Sequence, residues 1–445
     1  MKILIKGAVV LTMDEKLGNF QNADILIQDS KIIEIGPDLE IEGCETIYSQ
    51  GMIAIPGLID THRHVWQSPL QGIAADWTLM EYLQNMGRYG SVYRPEDVYV
   101  GNLFGAVQSI NAGITTVLDW CHILNTPEHA DAAVNGLRDS GSRAVFGHGN
   151  PGNGFMEWFY ESRLSHPDDV RRVRQTYFSS DDQLVTMAMA IRGPEYSTFD
   201  VTKQDIYLAR ELGLRASMHV GGGTFGPHYQ PIKLLDEANL LGDDLNFAHG
   251  CTLTEEDFKR IAATGGSLSV TPEVEMQMGL GNPATGRAIS CGLRPGLGVD
   301  VVTAASPELF TQMKIALQAD RARSNQLLIE EGKMPERVPM TTRDILKLST
   351  IDGARTLGLD HKVGSLSPGK DADLVLLRFP ETRPCPLGYA AAKVVLEAGI
   401  DNVDTVVVAG KIVKRNGKLS GHSFEKLRMK AEEIRERLIF SVESV

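Results

Sequence analysis

Cysteine is scarce in this chain and does not occur in closely spaced pairs. The cysteines are odd in number, lie far apart and form no CxxC motif: Cys44, Cys121, Cys251, Cys291 and Cys385. A disulfide framework needs paired cysteines in an oxidising compartment, so this usage argues against one. The cysteines therefore predict a cytoplasmic protein.

The chain also lacks an excess of positive charge and any long apolar run. Lys and Arg total 44 against 57 Asp and Glu, which gives a formal net charge of −13 at pH 7. Surfaces that bind nucleic acid are basic, so we expect no nucleic-acid partner. No apolar run reaches the roughly 20 residues that span a bilayer, and the apolar start of the chain is too short for a signal peptide. We therefore expect no membrane segment.

Two familiar zinc-enzyme signatures are missing as well. The chain contains no HExxH motif and no His-x-Glu followed by Pro-Cys-x-x-Cys. The first belongs to metalloproteases and the second to a different fold of zinc deaminases. Neither of these enzyme types fits the sequence.

What the sequence does contain is a regular alternation of strands and helices. Its 445 residues suggest one large domain and a smaller one. Eight apolar strands are predicted at residues 52–59, 114–119, 143–147, 184–190, 215–220, 245–249, 267–270 and 296–300. Eight strands alternating with helices predict an α/β fold, a (β/α)8 TIM barrel over residues 56–362, with an insertion near residues 156–179.

The two ends of the chain have the pattern of β-structure. Strands are predicted over residues 2–10, over 23–36 as a pair, and over 371–377, and a hairpin over 404–413 turns at Ala409-Gly410. We expect residues 1–55 and 363–420 to meet in a small composite β-sandwich beside the barrel. The charged segment 424–439 predicts a helix within a C-terminal unit of residues 421–445.

His62 and His64 are the most informative pair of residues in the chain. They follow an apolar strand that bends at Pro56-Gly57, and they are separated by Arg63. Side chains at i and i+2 of a strand point to the same face, so both imidazoles aim at one point. Two imidazoles on one face are a ready pair of ligands for a divalent metal.

Other strands of the predicted barrel also end in residues suited to metal chemistry. His219 ends the fifth strand, His249 the sixth and Asp300 the eighth. Barrel enzymes carry their chemistry at the C-terminal ends of the strands. Three imidazoles and one carboxylate suit Zn2+ well and Fe2+ acceptably, and they leave a position for water. An Asp beside the metal can take the proton of that water, and a further His can stabilise charge that develops on the substrate.

Several segments resemble the amidohydrolase superfamily, in particular its cytosine deaminase and triazine hydrolase branch. The similar segments cover essentially the whole chain: residues 56–64, 111–117, 354–358, 364–375 and 408–413. The resemblance implies His62, His64, His219 and Asp300 as ligands of one divalent metal. It makes Asp300 and His249 catalytic, gives His249 and Gln67 contacts with the substrate, and implies a homo-oligomer.

The chain departs from this branch after the fifth strand. Deaminases that it resembles carry His-x-x-Glu there, whereas this chain has His219 followed by Gly222 at the position of the Glu. Asp300 would then act alone, or a carboxylate from elsewhere would replace the missing one. Glu195, after the fourth strand, is one candidate, and Glu273 and Glu275, after the seventh, are others. We expect Glu195 and Glu273 among the substrate contacts.

These observations predict a metal-dependent hydrolase of carbon–nitrogen bonds other than peptide bonds. The expected substrate is a small N-heterocycle, and the expected reaction is hydrolytic deamination by metal-bound hydroxide. Hydrolysis of a cyclic amide or imide, or hydrolytic dechlorination of a ring carbon, is the alternative that suits the missing Glu. A non-enzymatic relative that serves in binding or assembly is a third reading, which the intact ligand set argues against.

Overall fold

The computed structural model describes residues 2–380 and 386–444. Its strands form two sheets, one of nine strands and one of eight. In chain order the strands are β1 (Lys2–Leu11), β2 (Asn19–Gln28), β3 (Lys31–Gly36), β4 (Glu45–Tyr48), β5 (Met52–Pro56), β6 (Leu58–Arg63), β7 (Ile114–Cys121), β8 (Arg143–His148), β9 (Val185–Ala190), β10 (Ala216–Val220), β11 (Leu245–His249), β12 (Ser267–Val270), β13 (Gly296–Leu297), β14 (Leu374–Arg378), β15 (Val403–Val408), β16 (Lys411–Arg415) and β17 (Lys418–Leu419).

Helices connect these strands and cover the outside of the eight-stranded sheet. In chain order they are α1 (Leu79–Val92), α2 (Pro95–Asn111), α3 (Pro127–Ser140), α4 (Phe155–Phe159), α5 (Asp169–Tyr177), α6 (Phe199–Glu211), α7 (Phe225–Tyr229), α8 (Pro231–Glu237), α9 (Glu255–Ala263), α10 (Pro272–Gln277), α11 (Thr285–Ser290), α12 (Leu309–Glu330), α13 (Thr342–Leu348), α14 (Ile351–Thr356), α15 (Ala390–Glu397) and α16 (Phe424–Glu443). Short 3₁₀ helices lie at Val65–Leu70, Leu387–Tyr389 and Ile400–Asn402. Among the described residues, no helix is both long enough and apolar enough to cross a membrane.

The eight-stranded sheet is a parallel barrel. Its strands run in sequence order from β6 to β13, each paired in parallel with the next. The first and last strands meet where the Asp300 N–H donates to the His62 carbonyl (2.8 Å) and the His64 N–H donates to the Asp300 carbonyl (3.0 Å). These bonds close the barrel and confirm the predicted (β/α)8 fold.

The nine-stranded sheet is built from both ends of the chain, as predicted for the sandwich. Its order is β17-β16-β15-β14-β5-β1-β2-β3, with β4 paired to β1. The terminal helix α16 lies instead against the barrel, where Leu427 and Ala431 pack on Leu103 and Phe104 of α2. Domain boundaries at residues 55, 362 and 420 stay predictions.

The apolar run 52–59, predicted as one strand, is divided between the two sheets. β5 pairs with β14 in the mixed sheet, and β6 pairs with β7 in the barrel. Residue 57 lies between them and is a glycine, because a Cβ there would lie 2.0 Å from the Thr115 hydroxyl oxygen. One apolar run thus supplies a strand to each sheet.

The described cysteines are free thiols, in agreement with their spacing. They are Cys44, Cys121, Cys251 and Cys291, and Cys385 lies outside the described residues. The predicted insertion holds the helices α4 and α5, which lie between β8 and β9.

Candidate metal centre

Four histidines and one aspartate converge at the C-terminal end of the barrel. The nitrogens of His62, His219 and His249 lie within 4.8 Å of one another, and so do the ligand atoms of His62, His64 and Asp300. His62 belongs to β6, His219 to β10 and His249 to β11, while Asp300 follows β13. Residues far apart in the sequence thus meet at one point, as the strand-end pattern predicted.

The Asp300 carboxylate lies at the centre of this group. Its Oδ1 is 3.2 Å from Nε2 of His64 and 3.5 Å from Nε2 of His62, and its Oδ2 is 3.9 Å from Nε2 of His249. Burial opposes ionisation of Asp300, but the contacts with His62 and His64 outweigh it and hold its pKa well below the ordinary value. The site therefore contains a carboxylate anion among nitrogen donors.

The imidazoles are held in the form that binds a metal. Burial lowers the pKa of His62 to about 4 and that of His219 well below its ordinary value, so both rings are neutral at pH 7. The Nδ1–H of His64 donates to the Trp120 carbonyl (2.8 Å), which leaves the Nε2 lone pair directed at the centre.

The two ring nitrogens of His62 are the clearest sign of a missing partner. Both are buried and neither has a hydrogen-bond partner among the described residues. An unpaired buried polar atom is costly, and a cation at the centre would satisfy Nε2, the His62 nitrogen that faces Asp300. Nitrogen donors from three histidines with one carboxylate oxygen also match the ligand preference of Zn2+. The residues present therefore fit a divalent metal.

Two buried aspartates that do not belong to the predicted site support the ligands from behind. Asp60 accepts the N–H of His62 (3.3 Å) and of Val299 (3.0 Å), and so links the first strand to the segment before Asp300. Asp119 accepts the N–H of Val65 (3.0 Å) just after His64. Their positions at strand ends were visible in the sequence, but their hydrogen bonds were not.

His249 is oriented by a second group behind it. Its Nδ1 lies 3.1 Å from the Thr271 hydroxyl and 3.4 Å from Oε1 of Glu275, which also accepts the Thr271 N–H (2.8 Å). Burial opposes protonation of His249, but Glu275 and Asp300 outweigh it and raise its pKa. Glu275 therefore acts on His249 and does not face the cavity.

A cavity lined mainly by apolar and aromatic side chains opens above the cluster. It encloses about 820 Å³ of empty space, part of it open to solvent. Its aromatic walls are Trp66, Tyr82, Trp120, Phe155, Phe159 and Tyr196. Glu195 and Asp300 are the carboxylates, and no lysine or arginine occurs, among the described residues that line it. Most ligand sites share this design of apolar walls with few polar groups.

The predicted substrate contacts divide into two groups. His249 and Glu195 line the cavity. Gln67 lies behind the wall, where its Nε2 donates to the Tyr82 hydroxyl (2.6 Å). Glu273 is turned away from the cavity, because its carboxylate accepts from the Ser306 N–H (3.0 Å) and the Gln312 amide (2.8 Å). The structure thus does not bring Gln67 or Glu273 to the cavity wall.

The resemblance to a family extends well beyond the short motifs. Residues 53–413 match the profile described as Amidohydrolase family. The chain belongs to the amidohydrolase family. It is a hydrolase of carbon–nitrogen bonds. A 5-methylthioadenosine/S-adenosylhomocysteine deaminase from Desulforudis audaxviator is 26% identical over 99% of this chain and 100% of its own length. A 5'-deoxyadenosine deaminase from Methanosarcina mazei is 25% identical over 99% of both chains.

Solved structures show the same fold. An adenosine deaminase from Xanthomonas campestris with bound zinc has a TM-score of 0.86 and 21% identity, covering 98% of each chain. An atrazine chlorohydrolase from Arthrobacter aurescens in complex with zinc has a TM-score of 0.83 and 21% identity, covering 97% of this chain and 100% of its own. At this identity the likeness concerns the barrel and sandwich architecture.

Proposed function

We propose that the protein is a metal-dependent deaminase of a small, uncharged N-heterocycle. One observation carries the proposal: the imidazoles and Asp300 converge on one point at the base of a mostly apolar cavity. His62, His64, His219 and Asp300 would hold one divalent metal, with Zn2+ favoured by the donor set and Fe2+ acceptable. When bound, the metal acts as a Lewis acid and lowers the pKa of water.

The roles of the chain's own groups follow from their positions. The Asp300 carboxylate accepts the proton of the attacking water, because it is anionic and lies among the ligands. His249, oriented by Glu275, donates a hydrogen bond to charge that develops on the substrate. Gln67 acts indirectly, since it positions the Tyr82 hydroxyl. Glu273 stays outside the proposed site because Ser306 and Gln312 occupy its oxygens.

The relatives and the cavity together narrow the range of possible substrates. Deaminases named for adenosine derivatives are similar to this chain over nearly its full length, which favours an amino group on a heteroaromatic ring. The aromatic walls suit a flat ring by stacking. S-adenosylhomocysteine also carries a carboxylate, and the described cavity lining has no lysine or arginine to pair with it. We therefore propose that the substrate is an uncharged ring compound and not a charged conjugate such as S-adenosylhomocysteine.

The proposal is tested by ammonia release from aminated purines, pyrimidines, triazines and S-adenosylhomocysteine, using zinc-loaded protein. We expect release from at least one uncharged compound and little from S-adenosylhomocysteine. Asp300→Asn should lower the rate at least about 100-fold because the proton acceptor is lost. A chlorinated triazine and a cyclic amide complete the panel, and chloride release from the first or opening of the second, without any release of ammonia, would replace deamination by one of the alternative hydrolyses.

The sequence also supports proposals on the location, the assembly and the domain boundaries of the protein. The unpaired thiols favour a cytoplasmic location, and the family resemblance favours a homo-oligomer. We also propose the sandwich at residues 1–55 and 363–420, the barrel at 56–362 and the terminal unit at 421–445. Light scattering of the purified protein tests the oligomer.

A further inference from the structure

Glu195 is a buried acid that reaches the cavity from the loop after the fourth barrel strand. The residue is only 4% exposed, and it lines the cavity. Its Oε1 accepts the Gly221 N–H (2.6 Å) in the loop that follows His219. Oε2 takes no part in this bond. One oxygen is therefore fixed to the fifth-strand loop, and the other remains available.

Gly222 leaves open the place where the related deaminases carry an acid. It lines the same cavity, and its backbone is not in the left-handed region. A Cβ at this position would come no closer than 3.7 Å to Leu280, an ordinary van der Waals contact. Neither backbone strain nor crowding at the first side-chain atom accounts for a glycine here. The neighbouring Gly221 differs, since its φ is +69°.

The other candidate acids are engaged elsewhere. Glu273 bonds to Ser306 and Gln312, and Glu275 lies behind His249. Among the described residues that line the cavity, the carboxyl groups belong to Glu195 and Asp300. Asp300 already contacts the ligand imidazoles.

We propose that Glu195 is the proton-transferring acid of this enzyme, supplied from the fourth strand in place of the acid missing at Gly222. This inference rests on the proposed function. The fourth and fifth strands are neighbours, and the Ile191 N–H donates to the Ser217 carbonyl (2.9 Å) just before these loops. The acid therefore comes from the strand before the one that carries His219, and its side chain reaches the loop that follows His219.

The protons of the reaction balance with Glu195 in this role. Water attacks the amino-bearing ring carbon and gives one proton to Asp300, while the Glu195 carboxyl gives its proton to the adjacent ring nitrogen. Asp300 then passes its proton to the amino group, the carbon–nitrogen bond breaks, and ammonia leaves. The hydroxyl proton of the adduct returns to Glu195. The product then carries a ring N–H beside a carbonyl.

The surroundings of Glu195 favour the protonated form that this role needs. Burial raises its pKa to about 8, although the Gly221 N–H and His249 oppose the rise. The titratable groups that interact with it are His249, Tyr196 and Tyr229. The carboxyl should therefore hold its proton at pH 7 and lose it as the pH rises past about 8.

The test compares Glu195→Gln, Glu195→Gln with Gly222→Glu, and the surface control Glu237→Gln in zinc-loaded protein. We expect Glu195→Gln to lower kcat at least about 100-fold, to change KM much less, and to remove the fall in rate above pH 8. Adding Gly222→Glu should restore kcat at least about tenfold. Zinc content should equal that of the wild type in each variant.

Infrared spectroscopy gives a readout that is independent of turnover. A protonated-carboxyl band at pH 7 should be present in the difference spectrum of wild type minus Glu195→Gln, and this band should be lost on titration above pH 8. If the wild type deaminates nothing, the proposed function fails and this band alone decides whether Glu195 is the protonated acid. Glu195→Gln with wild-type kcat, a double variant no faster than Glu195→Gln, or no such band would overturn the proposal.

Discussion

At the scale of single residues, the imidazoles of the candidate site are held by groups that lie behind them. The Trp120 carbonyl orients His64, and Glu275 with Thr271 orients His249. Such partners fix the tautomer and direction of each ring, and their loss typically lowers the metal affinity or activity of metal sites by about 10–100-fold.

Glu275→Gln should therefore lower kcat by about 10–100-fold while zinc content stays at the wild-type level. The amide cannot favour the protonated His249 ring as the carboxylate does. We expect a smaller effect of Glu273→Gln, whose side chain is turned away from the cavity. Steady-state kinetics with metal analysis of both variants checks this. A larger loss for Glu273→Gln would contradict the assignment.

The sequence was sufficient to predict which residues meet, because strand ends of a barrel share one rim. His62, His64, His219, His249 and Asp300 all follow from that rule. The side-chain directions of Gln67 and Glu273 do not follow from it, because contacts with residues distant in the sequence determine them. The Gln67 amide donates to the Tyr82 hydroxyl, and the Glu273 carboxylate accepts from the Gln312 amide.

At the scale of elements, the hairpin of β15 and β16 matches its predicted turn. Ala409 and Gly410 have φ of 45° and 76°, the left-handed conformation that a two-residue hairpin turn requires. Gly410 also lies against the turn between β2 and β3, where a Cβ would lie 1.8 Å from the Asp29 carbonyl oxygen. The turn type was predictable from the sequence, but this contact between two hairpins was not.

Gly410→Ala should destabilise the protein more than Gly417→Ala does. Both glycines have positive φ, so each substitution should cost about 1 kcal/mol in backbone strain. Nothing lies within 4 Å of a Cβ at position 417. A Cβ at position 410 would clash with the Asp29 carbonyl, which should cost roughly a further 1–3 kcal/mol. Urea unfolding of both variants measures the difference. Equal free energies of unfolding would show that the Asp29 contact is unimportant.

At the scale of the whole molecule, an ion-pair network that is buried at Arg143 and Asp373 joins the barrel to the sandwich. Arg143 begins β8 of the barrel and donates to Asp373 through Nε (3.1 Å) and to Asp371 through Nη2 (2.9 Å). Asp371 also pairs with Lys31 of β3 (2.7 Å). The periodicity of the sequence predicted two units but gave no information about the polar contacts between them.

Arg143→Met should lower the free energy of unfolding by about 3–5 kcal/mol, because it leaves the buried Asp373 carboxylate without its ion-pair partner and Asp371 with Lys31 alone. Arg171→Met is the matched control, since it breaks an exposed pair with Glu211. We expect no measurable change for the control. Comparable losses in both variants under urea unfolding would contradict the importance of the buried network.

The central claim is that turnover depends on one divalent metal held by the histidine–aspartate cluster. The most direct test is a zinc titration of chelated protein, followed by ammonia release from whichever ring the wild type deaminates. We predict that release is lost on chelation, returns in full at one zinc per chain, and does not return in His219→Ala at the same zinc concentration. Undiminished ammonia release from metal-free protein would contradict the account.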